Sequence, residues 1–383
     1  MAMALIPARH PRYTIILGVL LVTAFFFLLP GSPYPYSEST YVAPDALHNG
    51  IVQVDNSLTA RVKRSERVYQ KMVKRREGLI RKFGPNPREI VSFPPDKAPW
   101  PAYTVWDFFP PAFSCPHTVE RIGALGDGGK WLCGIDRLQE KPDCIVYSIG
   151  SAASASFEAE LLARTRHCQV WAYDFTTKGF GDEVTRPHAS EFFRLFADPL
   201  LPEFYSSAPG IEDTETGTAG EEREYWDDRS LKARTHFKPW VVAGREQLAP
   251  GDEPKMYTIQ SLMRMNGHMH IDVLKVDIEG WEFDTLRSFL GAAEDGTLPV
   301  GQMIIELHLW DRPFYDLLAL WERLERAGMR ATSREINLVY ANYNRGVGAE
   351  LVEYTFMNVK NGNIFVADRA APSIEKDVRE DDD

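Results

Sequence analysis

The sequence predicts an α/β fold in which a parallel β-sheet carries helices on both faces, preceded by an N-terminal transmembrane helix and a helical stem. From residue 141 onward, apolar runs of strand length alternate with helical patterns, which is typical of a parallel sheet. An uncharged apolar run near the N-terminus predicts the membrane helix, and a strongly basic helical pattern after it predicts the stem. With 383 residues, 44% of them hydrophobic, the chain is long enough for one large domain with appendages.

The first element is an apolar run of 17 residues from Tyr13 to Leu29 that contains no charged side chain. As a helix it spans roughly 25 Å, which is the short end of the transmembrane range. Arg9 and Arg12 precede the run, and no Lys or Arg follows it before Arg61. The positive-inside rule therefore predicts a cytoplasmic N-terminus and a luminal remainder, as in a single-pass type II protein of the Golgi or endoplasmic reticulum. A cleaved signal peptide is the alternative.

The next segment, residues 31–114, is predicted as a stalk and a basic stem. Residues 31–55 are rich in Pro, Ser and Tyr, as exposed linkers are. A helix is predicted over 58–83, where a Gly-Pro pair ends it. Ten of its residues are Lys or Arg, so a solvated stem helix is the plainest interpretation. Acidic glycans, anionic lipid or a protein partner are the alternatives for such a basic surface.

The main domain is predicted over 115–368, and residues 1–30 form the cytoplasmic tail and membrane anchor. A polar insertion is expected over 176–235, and a disordered acidic tail over 369–383. The predicted strands are 144–150, 168–175, 236–244, 271–277 and 300–310, with a closing pair at 334–343 and 351–360. The predicted helices of this domain are 157–165, 258–267, 281–293 and 314–328.

The chain has four cysteines, and in an oxidising lumen an even number permits disulfides. Cys115 and Cys133 would close a loop around the segment RIGALGDGGKW. Cys144 and Cys168 each open a strand-like run, so they are candidates for neighbours at one edge of the sheet. Buried free thiols are the alternative, and the spacing is not that of a zinc site.

Small residues follow the first strand of the main domain, where Gly150 precedes Ala152 and Ser154. A dinucleotide or S-adenosylmethionine site needs a close backbone approach there, together with the N–H groups of the next helix. The second strand ends in Asp174, 24 residues after Gly150, and a carboxylate at this point can accept hydrogen bonds from both ribose hydroxyls. The pair predicts an adenosine-bearing cofactor, with a plain turn and a turn aspartate as the structural alternatives.

Acidic residues follow the fourth strand in the segment IDVLKVDIEGWE, which contains Asp277, Glu279 and Glu282. Buried unpaired carboxylates are costly, so structure alone rarely places several acids at the end of a strand. Pairing of one acid with Lys275, and Glu282 as an exposed helix residue, are the structural alternatives.

The fifth strand ends in IIELHLW, whose Glu306 and His308 are two residues apart and therefore share a face. Together with the preceding acids they predict a carboxylate–imidazole cluster, which suits a general base or a hard divalent cation. The turn segment GDGGKW is either a plain hairpin or a flap with Asp127 and Lys130 as polar contacts.

The segments KVDIEGWE and IIELHLW resemble the FkbM-type S-adenosylmethionine methyltransferases. The segments GDGGKWLCG, YSIGSAASASFE and FKPWVVAG bring the resemblance closest to the methyltransferase-like protein 24 family. The resemblance covers about residues 115–360, and it implies a Rossmann-like class I methyltransferase sheet with S-adenosylmethionine as the cofactor. It leaves the divalent metal and the methyl acceptor unassigned.

The same resemblance implies two sets of site residues. Cofactor contacts are expected from Gly150, Ser156, Glu158 and Asp174. Catalytic residues at the acceptor are expected to be Asp277, Glu279, Glu306 and His308. The chain departs from many methyltransferases at Ser148, where an acid usually holds the methionine ammonium group, and Glu158 is expected to replace that acid.

The function predicted from these features is S-adenosylmethionine-dependent O-methylation of a glycan or another small luminal acceptor. An oxygen acceptor needs a base more than an amine does, and the acidic cluster supplies one. The net charge of −11 argues against a general nucleic-acid binder. A type II membrane glycosyltransferase and a non-catalytic membrane protein with a degenerate fold are the alternatives, although a D-x-D motif occurs only in the terminal acidic run.

Overall fold

The computed structural model describes residues 55–95, 101–126, 128–150, 154–186, 228–293, 296–344 and 348–367. The chain divides into two compact units, Met1–Asp55 and Asn56–Asp383, and everything described below lies in the second. The predicted transmembrane helix, the stalk up to residue 54, most of the insertion and the acidic tail lie outside the described residues. Within the described ranges, no helix is both long enough and apolar enough to cross a membrane.

Eleven strands and eight α-helices occur in the described part of the chain. The strands are β1 Val119–Ile122, β2 Lys130–Cys133, β3 Ile145–Ile149, β4 Gln169–Tyr173, β5 Thr235–Lys238, β6 Val241–Val242, β7 Met256–Tyr257, β8 Ile271–Val276, β9 Val300–His308, β10 Met329–Ile336 and β11 Leu351–Asn358. The helices are α1 Leu58–Phe83, α2 Ser156–Arg164, α3 Asp182–Thr185, α4 Asp228–Ala233, α5 Ile259–Asn266, α6 Glu282–Gly291, α7 Phe314–Arg326 and α8 Leu338–Tyr343.

Seven strands form the main sheet, in the order β10-β11-β9-β8-β3-β4-β5. Five strands that alternate with helices run parallel to one another, as predicted, and these are β3, β4, β5, β8 and β9. The closing strand β11 is antiparallel to both β9 and β10, so the sheet is mixed. Every residue of β8 and β9 is buried, which is expected of central strands covered on both faces.

Two predicted strands differ from the structure for local reasons. The run predicted over 236–244 is divided into β5 and β6 by Pro239, which has no N–H to donate to a sheet. The strand predicted over 334–343 instead starts at Met329 and ends at Ile336, and helix α8 follows it. Asn337 caps that helix by accepting a hydrogen bond from the backbone of Tyr340, a role for which Asn is strongly favoured.

Helix α1 has the predicted boundaries, but one of its faces packs on the domain, which differs from a solvated stem. Its buried positions recur at helical spacing, and among them are Tyr69, Met72 and Arg76. The hydroxyl of Tyr69 donates to Glu325 on α7 at 2.9 Å, and Arg76 pairs with the same carboxylate at 2.6 Å. The segment predicted as the stem therefore contributes to the core of the compact unit.

Two disulfides resolve the alternatives left open for the cysteines. Cys115 bonds to Cys133, and their Cα atoms are 6.0 Å apart. Cys144 bonds to Cys168 with a Cα separation of 4.3 Å. The second pair directly precedes β3 and β4, whose register places Ile145 opposite Gln169, so the bond joins the starts of two neighbouring parallel strands.

Candidate active site

The carboxyl ends of β3, β4, β8 and β9 bring most of the predicted site residues to one edge of the sheet. Gly150 follows β3 with a φ of +81°, and its N–H donates to the carbonyl of Tyr173 at 3.0 Å. A Cβ atom at this position would lie 1.7 Å from the carbonyl oxygen of Asp277. Glycine is therefore required for the ends of β3 and β8 to meet, a steric reason that the sequence alone does not reveal. Residues 151–153 lie outside the described part.

Glu158 is fully buried in the first turn of α2. Its Oε1 accepts hydrogen bonds from Ser148 Oγ at 2.6 Å and from Lys275 Nζ at 2.8 Å. Its Oε2 is buried and has no hydrogen-bond partner among the described residues. Lys275, the residue considered as a partner for an acid after β8, therefore pairs with Glu158, and Glu158 retains one acceptor atom.

Ser156 and Asp174 hold the backbone around the same edge. The Oγ of Ser156 accepts a hydrogen bond from the backbone N–H of Ala124 at 3.1 Å, which ties the chain after β1 to α2. Asp174 is 5% exposed, and its Oδ1 accepts from both the backbone and the hydroxyl of Thr176, at 2.8 and 2.6 Å. The next side chain, Phe175, is 56% exposed and presents an apolar surface beside this carboxylate.

Asp277, Glu279 and His308 form the centre of the predicted acceptor site. One ligand atom from each lies within 4.8 Å of the others. Glu279 adopts a left-handed φ of +51°, and its side chain is 78% exposed, whereas that of His308 is only 2% exposed. Left-handed backbone is uncommon for residues other than glycine, and its occurrence at functional sites is well known. Among the described residues, these three form a group that could hold a metal ion.

Glu282 sets the orientation of this cluster, although it could equally have been an exposed helix residue from sequence alone. Its side chain is fully buried, and Oε1 accepts from the backbone N–H groups of Ile278 and Gly280, both at 3.1 Å. The same oxygen lies 3.0 Å from Nδ1 of His308. Because a carboxylate only accepts, Nδ1 is the donor and Nε2 faces Glu279 at 3.5 Å.

The charges around His308 determine its protonation. Burial acts to lower the pKa of the imidazole, but the hydrogen bond and charge of Glu282, with the charges of Asp277 and Glu306, outweigh it. The pKa of His308 is therefore raised above its ordinary value. Burial, reinforced by the charge of Asp277, raises the pKa of Glu306 to about 7.

Glu306 lies at the side of the cluster and is 6% exposed. It accepts a hydrogen bond from Asn337 at 2.9 Å, and in the β9–β11 register it lies opposite Glu353. Glu353 forms an ion pair with the buried Lys130 of β2. The segment containing Lys130 thus reaches the acidic cluster, while Asp127 lies outside the described residues. The sequence analysis did not predict Glu353 and Asn337 as neighbours of the site. The one sequence feature that distinguishes them is a polar side chain within or next to an apolar strand.

Two family models match this chain. A family model described as a methyltransferase domain matches residues 53–192, which include Gly150 and Asp174. A model described as a methyltransferase FkbM domain matches residues 203–331, which include Asp277 and His308. The chain contains an FkbM-type methyltransferase domain. The predicted FkbM-type resemblance is confirmed, whereas closeness to the methyltransferase-like protein 24 family stays a prediction.

Solved structures resemble the FkbM-type domain at low identity. A fibrillarin pre-rRNA processing protein from Methanococcus jannaschii is 11% identical, with 63% of this chain and 71% of that chain covered and a TM-score of 0.29. A human methyltransferase 10 domain containing protein is 9% identical, with 58% and 78% covered and a TM-score of 0.28. An O-methyltransferase from Bacillus cereus in complex with SAH is 12% identical, with 56% and 74% covered and a TM-score of 0.26. Comparison with curated proteins found no match.

Proposed function

We propose that this protein is an S-adenosylmethionine-dependent methyltransferase that methylates an oxygen atom of a glycan or another small acceptor. The observation that carries the proposal is the cluster of Asp277, Glu306 and His308 at the ends of β8 and β9, directly beside the strand ends that match a methyltransferase domain. The family matches favour this function over a glycosyltransferase. Within the proposal, the acids favour oxygen over nitrogen as the acceptor atom.

The residues along β3 and β4 fit the cofactor. The Oε2 of Glu158, which has no partner within the described part of the chain, can accept from the methionine ammonium group, replacing the acid that is absent at Ser148. The carboxylate of Asp174 can accept from the ribose hydroxyls, and the exposed ring of Phe175 offers an apolar surface for the adenine. When bound, the cofactor supplies an electrophilic methyl group on a sulfonium sulfur.

The protein's own residues then position the acceptor and handle its proton. Asp277 follows β8 at the point where its carbonyl contacts Gly150, so the acceptor edge and the cofactor edge are held at a fixed separation. A carboxylate at Asp277 can orient the acceptor hydroxyl and accept its proton. Glu306 and the imidazole of His308, both buried, add polar atoms beside that group, whereas Glu279 is exposed to solvent.

The test is Asp277→Asn, which keeps the size of the side chain but cannot accept a proton at neutral pH. Transfer of a labelled methyl group from S-adenosylmethionine into a cell extract should fall by about 10²–10⁴-fold, the usual cost of losing a general base. Affinity for S-adenosylhomocysteine and the melting temperature should change little. Asp143→Asn is the matched control, because that side chain is 83% exposed and lies just before β3, at the opposite end of this strand from Gly150.

Two other outcomes decide against the proposal. Wild-type turnover in a stable Asp277→Asn protein would end the catalytic role of this carboxylate. A wild-type protein that binds no S-adenosylhomocysteine and labels no product would favour the non-catalytic alternative. Identification of the labelled product would define the acceptor.

We further propose that the domain functions in the lumen of the secretory pathway, tethered by the predicted anchor. Two disulfides support this location, since such bonds persist in oxidising compartments and are rare in the cytosol. Protease treatment of intact vesicles should leave a C-terminal epitope protected until detergent is added. Digestion without detergent would overturn the orientation.

A further inference from the structure

His308 is held in a way that prepares one nitrogen for a ligand. Its side chain is 2% exposed, and Nδ1 is occupied by the fully buried carboxylate of Glu282. Glu282 is itself fixed by two backbone N–H groups of the turn after β8. Nε2 makes no hydrogen bond within the described residues and faces the carboxylate of Glu279. A carboxylate that orients an imidazole through one nitrogen while the other remains available is the usual support of a metal-ligating histidine.

The oxygen atoms around Nε2 complete a ligand set. One atom from each of Asp277, Glu279 and His308 lies within 4.8 Å of the other two. Ligands about 2.1 Å from a shared ion are separated by about 3 Å when adjacent and about 4.2 Å when opposite. Small side-chain rotations therefore bring all three into a common coordination sphere. Asp277 directly follows β8, and His308 is the last residue of the neighbouring parallel strand β9, which gives the site a rigid base.

We propose that Asp277, Glu279 and His308 bind a divalent transition-metal ion, and that this ion coordinates the oxygen of the methyl acceptor. The second part rests on the function proposed above, whereas metal binding itself does not. The ligand set contains two hard carboxylates and one imidazole. Carboxylates suit Mg²⁺, Ca²⁺ and Mn²⁺, and imidazole suits transition ions, so Mn²⁺ is the ion that matches both.

Three protein ligands leave positions open on an ion that prefers six, as in catalytic metal sites generally. A vicinal diol, such as a sugar provides, can fill two of them with neighbouring oxygen atoms. Coordination lowers the pKa of a bound hydroxyl, and it also holds the oxygen at a fixed point beside the strand ends that serve the cofactor. The site therefore selects acceptors with adjacent hydroxyl groups over simple alcohols.

The experiment begins with chelator-treated full-length protein that is titrated with Mn²⁺, using calorimetry and the loss of the free Mn²⁺ electron paramagnetic resonance signal. One ion per chain is expected. Glu279→Gln should weaken binding at least tenfold without affecting folding, because this side chain is 78% exposed. Glu282→Gln weakens the support of the imidazole without removing a proposed metal ligand, and it should weaken binding by about 10–100-fold. Glu246→Gln is the matched control, an exposed acid outside the site that should leave binding unchanged.

Titration of the same metal-free protein with S-adenosylhomocysteine separates the two proposals. Cofactor binding without Mn²⁺ binding would overturn the metal site and leave the proposed function standing. Mn²⁺ binding without cofactor binding would support the site and count against the function. Mg²⁺ binding that is equally tight, and insensitive to His308→Gln, would overturn the assignment of the imidazole as a ligand.

Discussion

Removing one partner of the buried pair Glu158–Lys275 should destabilise the domain by about 3–5 kcal/mol. The two side chains are 0% and 1% exposed, and Nζ lies 2.8 Å from Oε1. In Lys275→Met the carboxylate stays buried with only the hydroxyl of Ser148 as a donor. In Glu158→Met the ammonium group stays buried without its counter-charge. Each single substitution therefore leaves one desolvated charge behind, which is the source of the large cost.

The double substitution Glu158→Met/Lys275→Met removes both charges and should cost less than either single change. A buried ion pair replaced by apolar side chains of similar size is often close to neutral in stability. The remaining cost, about 1–3 kcal/mol, comes from the hydroxyl of Ser148, which loses its acceptor. Free energies of unfolding from equilibrium urea denaturation of the four proteins complete the thermodynamic cycle.

An exposed ion pair provides the reference against which these stability costs are compared. Arg264 and Glu246 lie 3.7 Å apart with side chains 70% and 41% exposed, so Glu246→Met should cost less than about 1 kcal/mol. Single substitutions at Glu158 and Lys275 that cost no more than this control would refute the reasoning. So would a double substitution whose cost is the sum of the singles. Binding of S-adenosylhomocysteine to the folded variants gives a second readout, since loss in Glu158→Met alone would support the proposed contact with the ammonium group.

Gly150→Ala should destabilise the protein by more than Gly251→Ala. Both residues have left-handed φ values, but a Cβ atom at position 150 would clash with the carbonyl oxygen of Asp277, whereas a Cβ atom at position 251 would have no described atom within 4 Å. The control should cost about 1–2 kcal/mol, and equal melting temperatures of the two variants would contradict the steric argument. Replacing Cys144 and Cys168 by Ser opens a loop of 24 residues and should cost about 3 kcal/mol, which an unchanged urea midpoint would disprove. Burial raises the pKa of Glu306 from 4.5 to about 7, so its ionisation opposes folding as the pH rises through this window. In chelator, wild-type stability should fall by up to about 3 kcal/mol relative to Glu306→Gln between pH 4.5 and 7, and parallel pH profiles would exclude the effect.

Local patterns in the sequence were sufficient to predict most of the fold. The strand 271–276 and the turn after it follow from an apolar run that ends in Asp277 and Gly280, since side-chain periodicity and the glycine requirement are properties of neighbouring residues. The gathering of Asp277, Glu306 and His308 also followed from the sequence, because parallel strands end at one edge of their sheet. The predicted strands were wrong where a single residue ends or interrupts a strand, as Pro239 and Asn337 do.

Only the tertiary structure decided which acid pairs with the buried Lys275. Lys275 pairs with Glu158, 117 residues away, whereas pairing with one of the acids that follow it closely in sequence was the structural alternative. Residues 275 and 277 are two apart in an extended segment, so their side chains are expected on the same face. Helix α2, however, positions the carboxylate of Glu158 against the ammonium group of Lys275, and this ion pair forms instead.

The burial of Glu282 and the packing of helix α1 also could not be predicted from the sequence alone. The sequence places Glu282 in the first turn of the helix predicted over 281–293, where an exposed acid is ordinary, but in the structure its buried carboxylate contacts His308. The basic pattern over 58–83 marks a helix, but its docking on Glu325 depends on a residue about 250 positions away. Secondary structure is set by backbone sterics and short-range periodicity, which a sequence displays directly. Burial and pairing of charged groups depend on which distant segments fold together, and one sequence contains no local signal of that choice.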